Sequence, residues 1–260
     1  MNMLFILAVI LFVLMVVIGG RKGARSFIAL FFNFGVLLLT ILFMTDPHVN
    51  PVILTLIACA IISCINLFYI NEVNSKTKTA FVSTVITIAI LIIFINVLTK
   101  ISMIQGFGEE QIEELNIFSL YIGVDFVKVG TSMIIMSTIG AITDVAISIT
   151  SPMREIFRHH PNISRGELFK SGINIGRDIL GSNTNTLFFA FFGSYMGLLI
   201  WFKDMTYSLG EIVNSKVFTG EMMIILCAGI GIALITPIAA WINAVYLVRR
   251  REKAASSQQE

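Results

Sequence analysis

Two aspartates lie inside apolar stretches of this chain, each beside small and hydroxyl residues. Asp144 stands in G-A-I-T-D-V-A-I-S-I-T-S (140–151), and Asp178 in S-G-I-N-I-G-R-D-I-L-G-S-N-T-N-T-L (171–187). On a helix Asp144 shares a face with Gly140 and Ser148, and more loosely with Thr143. Asp178 falls in one stripe with Ser182, Asn185, Phe189 and Gly193, with Arg177 and Thr184 beside it. Asn183, Thr184, Asn185 and Thr186 make an unbroken polar row. A carboxylate changes its affinity for a proton as its surroundings wet and dry, and such a group would couple proton movement to motion. The same residues also suit a structural role, as hydrogen-bonding glue between helices with Asp178 and Arg177 at the interface. A second charged pair, Asp125 and Lys128, sits eight to eleven residues into the apolar run 117–142 and shares a helical face with Ser132. An ionisable group at that depth must be paired or wetted. The pair reads as a charge relay or ion site, or as a buried structural ion pair.

The elements that carry these residues belong in lipid. Of 260 residues, 56% are hydrophobic and 13% charged, against roughly 25% charged in a soluble domain. Mean hydropathy is +0.88. The net charge of +2 is too small to point to nucleic acid. Cys59, Cys64 and Cys227 all fall in apolar runs and show no spacing for a disulfide or a zinc site. Nothing calls for a cofactor or a metal.

Seven runs are long enough to cross a bilayer: 3–19, 26–44, 51–70, 79–99, 117–142, 180–202 and 221–247. A crossing takes about 20 residues as a helix, and continuous apolar runs do not alternate as barrel strands do. The first run lacks a basic stretch before it and reads as a retained helix. The expected fold is therefore an all-α polytopic membrane bundle of about seven transmembrane helices, in a single domain over 1–248, with a basic, partly disordered tail over 249–260.

Orientation follows from Lys and Arg. One set of alternate loops holds Arg21, Lys22, Arg25, Lys76, Lys78, Arg154, Arg158, Arg165, Lys170, Arg177, Arg249, Arg250, Arg251 and Lys253; the other holds Lys100, Lys203 and Lys216. The positive-inside rule puts the first set in the cytoplasm, the N-terminus outside and the C-terminus inside.

From Ile117 to Thr150 the chain is almost unbroken. As one helix it would be about 51 Å long against a core of about 30 Å. Either it tilts and projects, or it breaks near Gly140. Ser151-Pro152 favours a boundary. Residues 152–178 form an amphipathic cytoplasmic connector, in which Ser164-Arg165-Gly166-Glu167 fits a capping box. Glu109, Glu110, Glu113 and Glu114 suit a solvated helix start or a cation-attracting patch.

Enzymatic signatures are missing: no phosphate loop, no H-E-x-x-H and no G-x-S-x-G. The contexts of Asp144 and Asp178 do not resemble those of intramembrane aspartyl proteases.

At 140–151 and 171–187, and in layout from about 117 onward, the chain resembles the YibE/F family of bacterial multispanning membrane proteins. It departs at Ser182-Asn183, where Thr-Met is the expected pair; the hydroxyl is kept. It lacks the long extracytoplasmic domain of some members and so resembles the short member of a two-protein set. That resemblance implies a cell-membrane protein, transport as the broad role, and a longer related subunit as partner, in a homo- or hetero-oligomer. A shorter similarity links Asp144, Arg154-Glu155, and Arg177 through Asn185-Thr186-Leu187 to the SecF branch of resistance-nodulation-division-type proton-coupled machines. It implies proton-driven conformational change near Asp144. The alternative is a non-transporting scaffold or assembly subunit.

Overall fold

The computed structural model describes residues 3–102, 104 and 125–256, with the backbone alone at 254 and 255. Every regular element among them is a helix. Five helices are long and apolar enough to cross a membrane, and a sixth crossing is possible as a bent pair.

Helix α1, Met3–Met44, is broken at Gly20, whose φ of 56° lies in the left-handed region that favours glycine. The chain doubles back there. The Phe12 and Phe27 rings lie 4.9 Å apart, where an unbroken helix would hold them about 22 Å apart. A Cβ on Gly23 would collide with the Met15 carbonyl. The expected runs 3–19 and 26–44 are thus the two arms of one hairpin, with Arg21, Lys22 and Arg25 at its bend. Gly23→Leu should open it. The check is loss of disulfide formation between Phe12→Cys and Phe27→Cys in the doubly substituted protein.

Helix α2, Pro51–Cys64, starts on Asn50, whose side chain accepts from the Val52 N–H, and has proline in its first turn. It passes into a π-helical turn, Ile65–Tyr69. Here Asn33 of α1 donates to the Asn66 side chain at 2.8 Å. Phe32 meets Tyr69 edge-on, and Arg25 pairs with Glu72 at 2.9 Å. These contacts fasten the α1 hairpin to the rest of the protein.

Helix α3, Ser75–Ser102, buries Thr79, Ser83 and Thr87. Ser83 and Thr87 each donate to the carbonyl one turn back, and the Thr79 hydroxyl has the Ser75 carbonyl within reach, so these polar groups enter the core with a partner on their own helix.

Helix α4, Phe126–His159, is continuous through Gly140 and Pro152, and its 34 residues span about 51 Å. Neither the break near Gly140 nor the boundary at Ser151-Pro152 occurs. Pro152 removes one ladder bond, but the helix continues through it, with Val145, Ala146, Ile149 and Met153 fully buried around it.

Helix α5, Arg165–Ser194, begins with the expected capping box between Ser164 and Glu167. It meets α6, Met196–Asp204, at a 55° bend, so the run 180–202 is broken at Tyr195. There the Tyr195 hydroxyl donates to Glu221 at 2.7 Å. A second capping box, Ser208 with Glu211, opens the short α7, Leu209–Asn214. Hydrogen bonds from Ser208 hold the Glu211 carboxyl below its ordinary range. A carboxyl depressed in the folded state stabilises the fold above its unfolded pKa, and that contribution is lost as pH falls through the folded value.

Helix α8, Lys216–Ser256, is the axis of the bundle and packs on α3, α4 and α5. Its Ile232, Ile235, Ala239, Ala240 and Ala244 are fully buried, as are Ile142, Val145 and Ile149 of α4. Small side chains and glycines bring the backbones close. At one end Arg251 donates to the carbonyls of Pro161 and Ile163, and Lys76 donates to Ser151 at 3.1 Å. Several of the basic segments assigned to the cytoplasm therefore meet at the same end of the bundle.

Candidate functional site: a polar face on two neighbouring helices

The relative heights of α4, α5 and α8 follow from glycine contacts. Gly231 of α8 lies against Ile142 and Thr138, and a Cβ built on Gly229 would lie 3.6 Å from Thr184. Gly176 of α5 abuts Thr236, and Gly172 is wedged between Met153 and Ala240. Read along α8, these contacts set Asp144 level with the Arg177–Gly181 turn of α5, to within about one helical turn.

The two acids that the spacing singled out are therefore at one height. Asp144 points away from the core: Ile142, Thr143, Val145 and Ala146 are buried while Asp144 and Ser148 are exposed, as is Ser137 on the same stripe. On α5 Arg177, Asp178, Ser182, Asn185 and Thr186 are exposed, and Asn183 and Thr184 are half-buried. Thr184 donates to the Leu180 carbonyl at 2.8 Å and Thr186 to that of Ser182 at 2.9 Å. Those hydroxyls are spent locally. Among the described residues Asp144, Arg177 and Asp178 form no ion pair within 4.0 Å. A charged side chain at the centre of a membrane helix costs about 2.5–3.5 kcal/mol on insertion scales. By the runs 117–142 and 180–202, Asp144, Arg177 and Asp178 stand just past the inner ends of their spans, where an unpaired charge calls for water or protein to cover it.

Asp125 and Lys128 do not join this face. Asp125 is the N-cap of α4 and accepts from the N–H groups of Val127 and Lys128. Its carboxylate pairs with Lys128 at 3.1 Å, with both side chains nearly half exposed. The pair marks the start of the helix rather than a position deep within it, and the 19 residues to Asp144 put it about 28 Å away. Residues 117–124, which would precede it in the expected span, and the acidic cluster Glu109–Glu114 lie outside the described residues.

A buried polar seam escaped the sequence reading. Thr79 of α3 donates to the Asn243 side chain at 3.0 Å, and Asn243 donates to the Thr150 carbonyl at 3.3 Å. Ser63 and Thr143 meet at 3.5 Å. Asn243, Thr79 and Thr150 are buried, so this seam ties α3, α4 and α8 together without touching the outer face. A single amide in W-I-N-A is the only trace of it in the chain. No three His, Cys, Asp or Glu side chains gather for a metal among the described residues.

An apolar recess of about 640 Å³ opens between α1, α2 and α4, lined by Leu37, Ile41, Met133 and Met136 among others. Its hydroxyls, such as Thr40 and Thr55, are bonded to their own backbones.

No curated protein and no solved structure matches the chain. The YibE/F-like protein family does, over residues 7–249, nearly the whole length. That match and the long apolar helices fit a multi-pass membrane protein. The chain belongs to the YibE/F-like family.

Proposed function

We propose that the protein is a subunit of a proton-coupled transporter or permease in the cell membrane, and that the polar face of α4 and α5 is its proton path. The observation that carries this reading is the placement of Asp144 level with Arg177 and Asp178, all accessible and none in an ion pair among the described residues. Asp144 and Asp178 take up and release protons. Arg177 sets the local charge; Asn183 and Asn185 hold water along the path, and Thr184 and Thr186, whose hydroxyl protons go to the backbone, only accept from it. Asp125 and Lys128 have only a capping role. The chain makes and breaks no covalent bond in its work.

The reading takes the protein across the bilayer seven times, with the N-terminus outside and the C-terminus in the cytoplasm. The hairpin at Gly20 supports two crossings in α1, and the basic bend at Arg21, Lys22 and Arg25 supports its orientation. The bent pair α5–α6 supplies another crossing. The protein works in an oligomer, of its own copies or with a longer relative.

Cysteine accessibility tests the hydrated face. In a protein whose Cys59, Cys64 and Cys227 are replaced, Asp144→Cys, Ser182→Cys and Asn185→Cys are expected to react with a water-soluble maleimide in intact membranes. Ile53→Cys, 58% exposed on an apolar face, is not. Three unreactive cysteines at 144, 182 and 185 would show a dry face and favour the scaffold reading, in which polar side chains serve only to hold helices together.

A further inference from the structure

The polar face is open sideways. It rests on α4 and α5, which both pack against α8 behind it; among the described residues nothing lies in front. We propose that it is closed by the same face of a second copy, related by a two-fold axis along the membrane normal, so that Asp144 of each copy pairs with Arg177 of the partner subunit. This rests on the proposed path, which one chain alone leaves with a single wall.

Three features favour a second copy over an unlike helix. The face carries both signs of charge, Asp144 on one helix and Arg177 on the other, at the same height along α8. A two-fold axis along the membrane normal keeps every group at its own height, so α4 of one copy faces α5 of the other with opposite charges matched twice over. The uncharged members, Ser148, Ser182 and Asn185, each donate and accept hydrogen bonds, so they suit a partner that presents the same groups. The acid left over, Asp178, faces the seam between the copies, where the path would run. Gly140 and Gly181 would have no side chain in the way, since among the described residues nothing lies within 4 Å of a Cβ built at either.

The test uses the full chain in native membranes, with its three cysteines replaced and two tags distinguishing the copies. Ser137→Cys in one copy and Asn185→Cys in the other lie at the same height on facing helices. Mild oxidation is expected to give a mixed disulfide carrying both tags, while Ile57→Cys, on an outward face of α2, gives none. Asp144→Arg is expected to lower the cross-linked fraction about tenfold or more, because it sets like charges against each other at two places. Adding Arg177→Asp should restore it, which a variant that had merely misfolded would not do. A chain that never cross-links, a cross-link indifferent to both charge changes, or one formed only with a different polypeptide would overturn the proposal. Proton flux that needs Asp144 but occurs without a dimer would leave the proposed function standing and remove this one. A dimer without flux would do the reverse.

Discussion

Gly172→Leu is expected to be the most damaging single substitution in the helical core. A Cβ at this position already meets the Met153 sulfur at 2.6 Å and the Ala240 Cβ at 2.7 Å. Three helices, α4, α5 and α8, converge there, and Met153 and Ala240 are fully buried. Met153 has a flexible side chain and can yield to one methyl group, but Ala240 can move only with its helix. Overpacking a core costs about 1–3 kcal/mol per site where side chains can shift, and a leucine here should cost about 3 kcal/mol or more. The check is the unfolding midpoint of the purified protein in a denaturing detergent. Gly172→Ala should fall between wild type and leucine. Gly35→Leu, in the second arm of α1 where among the described residues nothing lies within 4 Å of an added Cβ, should move the midpoint little. Equal losses at 172 and 35 would mean that helix propensity, not close packing, sets the cost.

Asn243→Asp is the second. Asn243 is fully buried; its amide nitrogen donates to the Thr150 carbonyl, and its oxygen accepts from Thr79. An aspartate at 243 keeps the shape, loses the donor, and sets a carboxylate oxygen against a carbonyl oxygen. Burying a charge without a partner costs roughly 3–5 kcal/mol, so the protein is expected to fail to accumulate in membranes or to unfold in mild detergent. Asn243→Leu should be far gentler, about 1 kcal/mol. The single hydroxyl proton of Thr79 can turn instead to the Ser75 or Lys76 carbonyl, both within reach, and Thr150's carbonyl stays within the α4 ladder. If leucine proves as harmful as aspartate, the seam is held by packing rather than by hydrogen bonds.

How much of this was legible in the chain varies with the range of the interaction. The capping box at Ser164 and Glu167 is a local pattern, legible in the chain and present in the structure. Ser208-x-x-Glu211 is the same pattern, but it stands in a short loop between apolar runs, where hydropathy gives no helix for it to open. Asp125 opens α4 as its N-cap, while the apolar run that holds it starts at 117, because hydropathy averages over a window. It cannot separate the start of a helix from its middle, although an acid with a lysine three residues later also suits a cap. Helical spacing put Asp144 with Ser148 and Asp178 with Ser182, but spacing does not say which way a face points; the burial of Ile142, Val145 and Ile149 decides that. Asn243 and Thr79 are 164 positions apart, and Asn33 and Asn66 are 33 apart. One amide barely alters the hydropathy of its own run, so neither pairing leaves a local trace. The charge at Arg21 and Lys22 points to the doubling back of α1, and the turn is made at Gly20, one of three glycines there able to take a positive φ without strain.

The central claim is that protons move along the face of α4 and α5 by way of Asp144. The most direct measurement is proton flux into proteoliposomes holding the purified full-length protein, alone and with a longer relative, comparing wild type with Asp144→Asn and Asp125→Asn. Asparagine matches the shape of the aspartate but cannot take up or release a proton in this range. The account predicts flux in wild type, retained in Asp125→Asn and reduced at least about tenfold in Asp144→Asn, an interaction worth 1.4 kcal/mol or more at the barrier. Flux unchanged by Asp144→Asn, or none from any combination while Asp144→Asn still functions in cells, would contradict it and leave a scaffold whose polar face only joins helices.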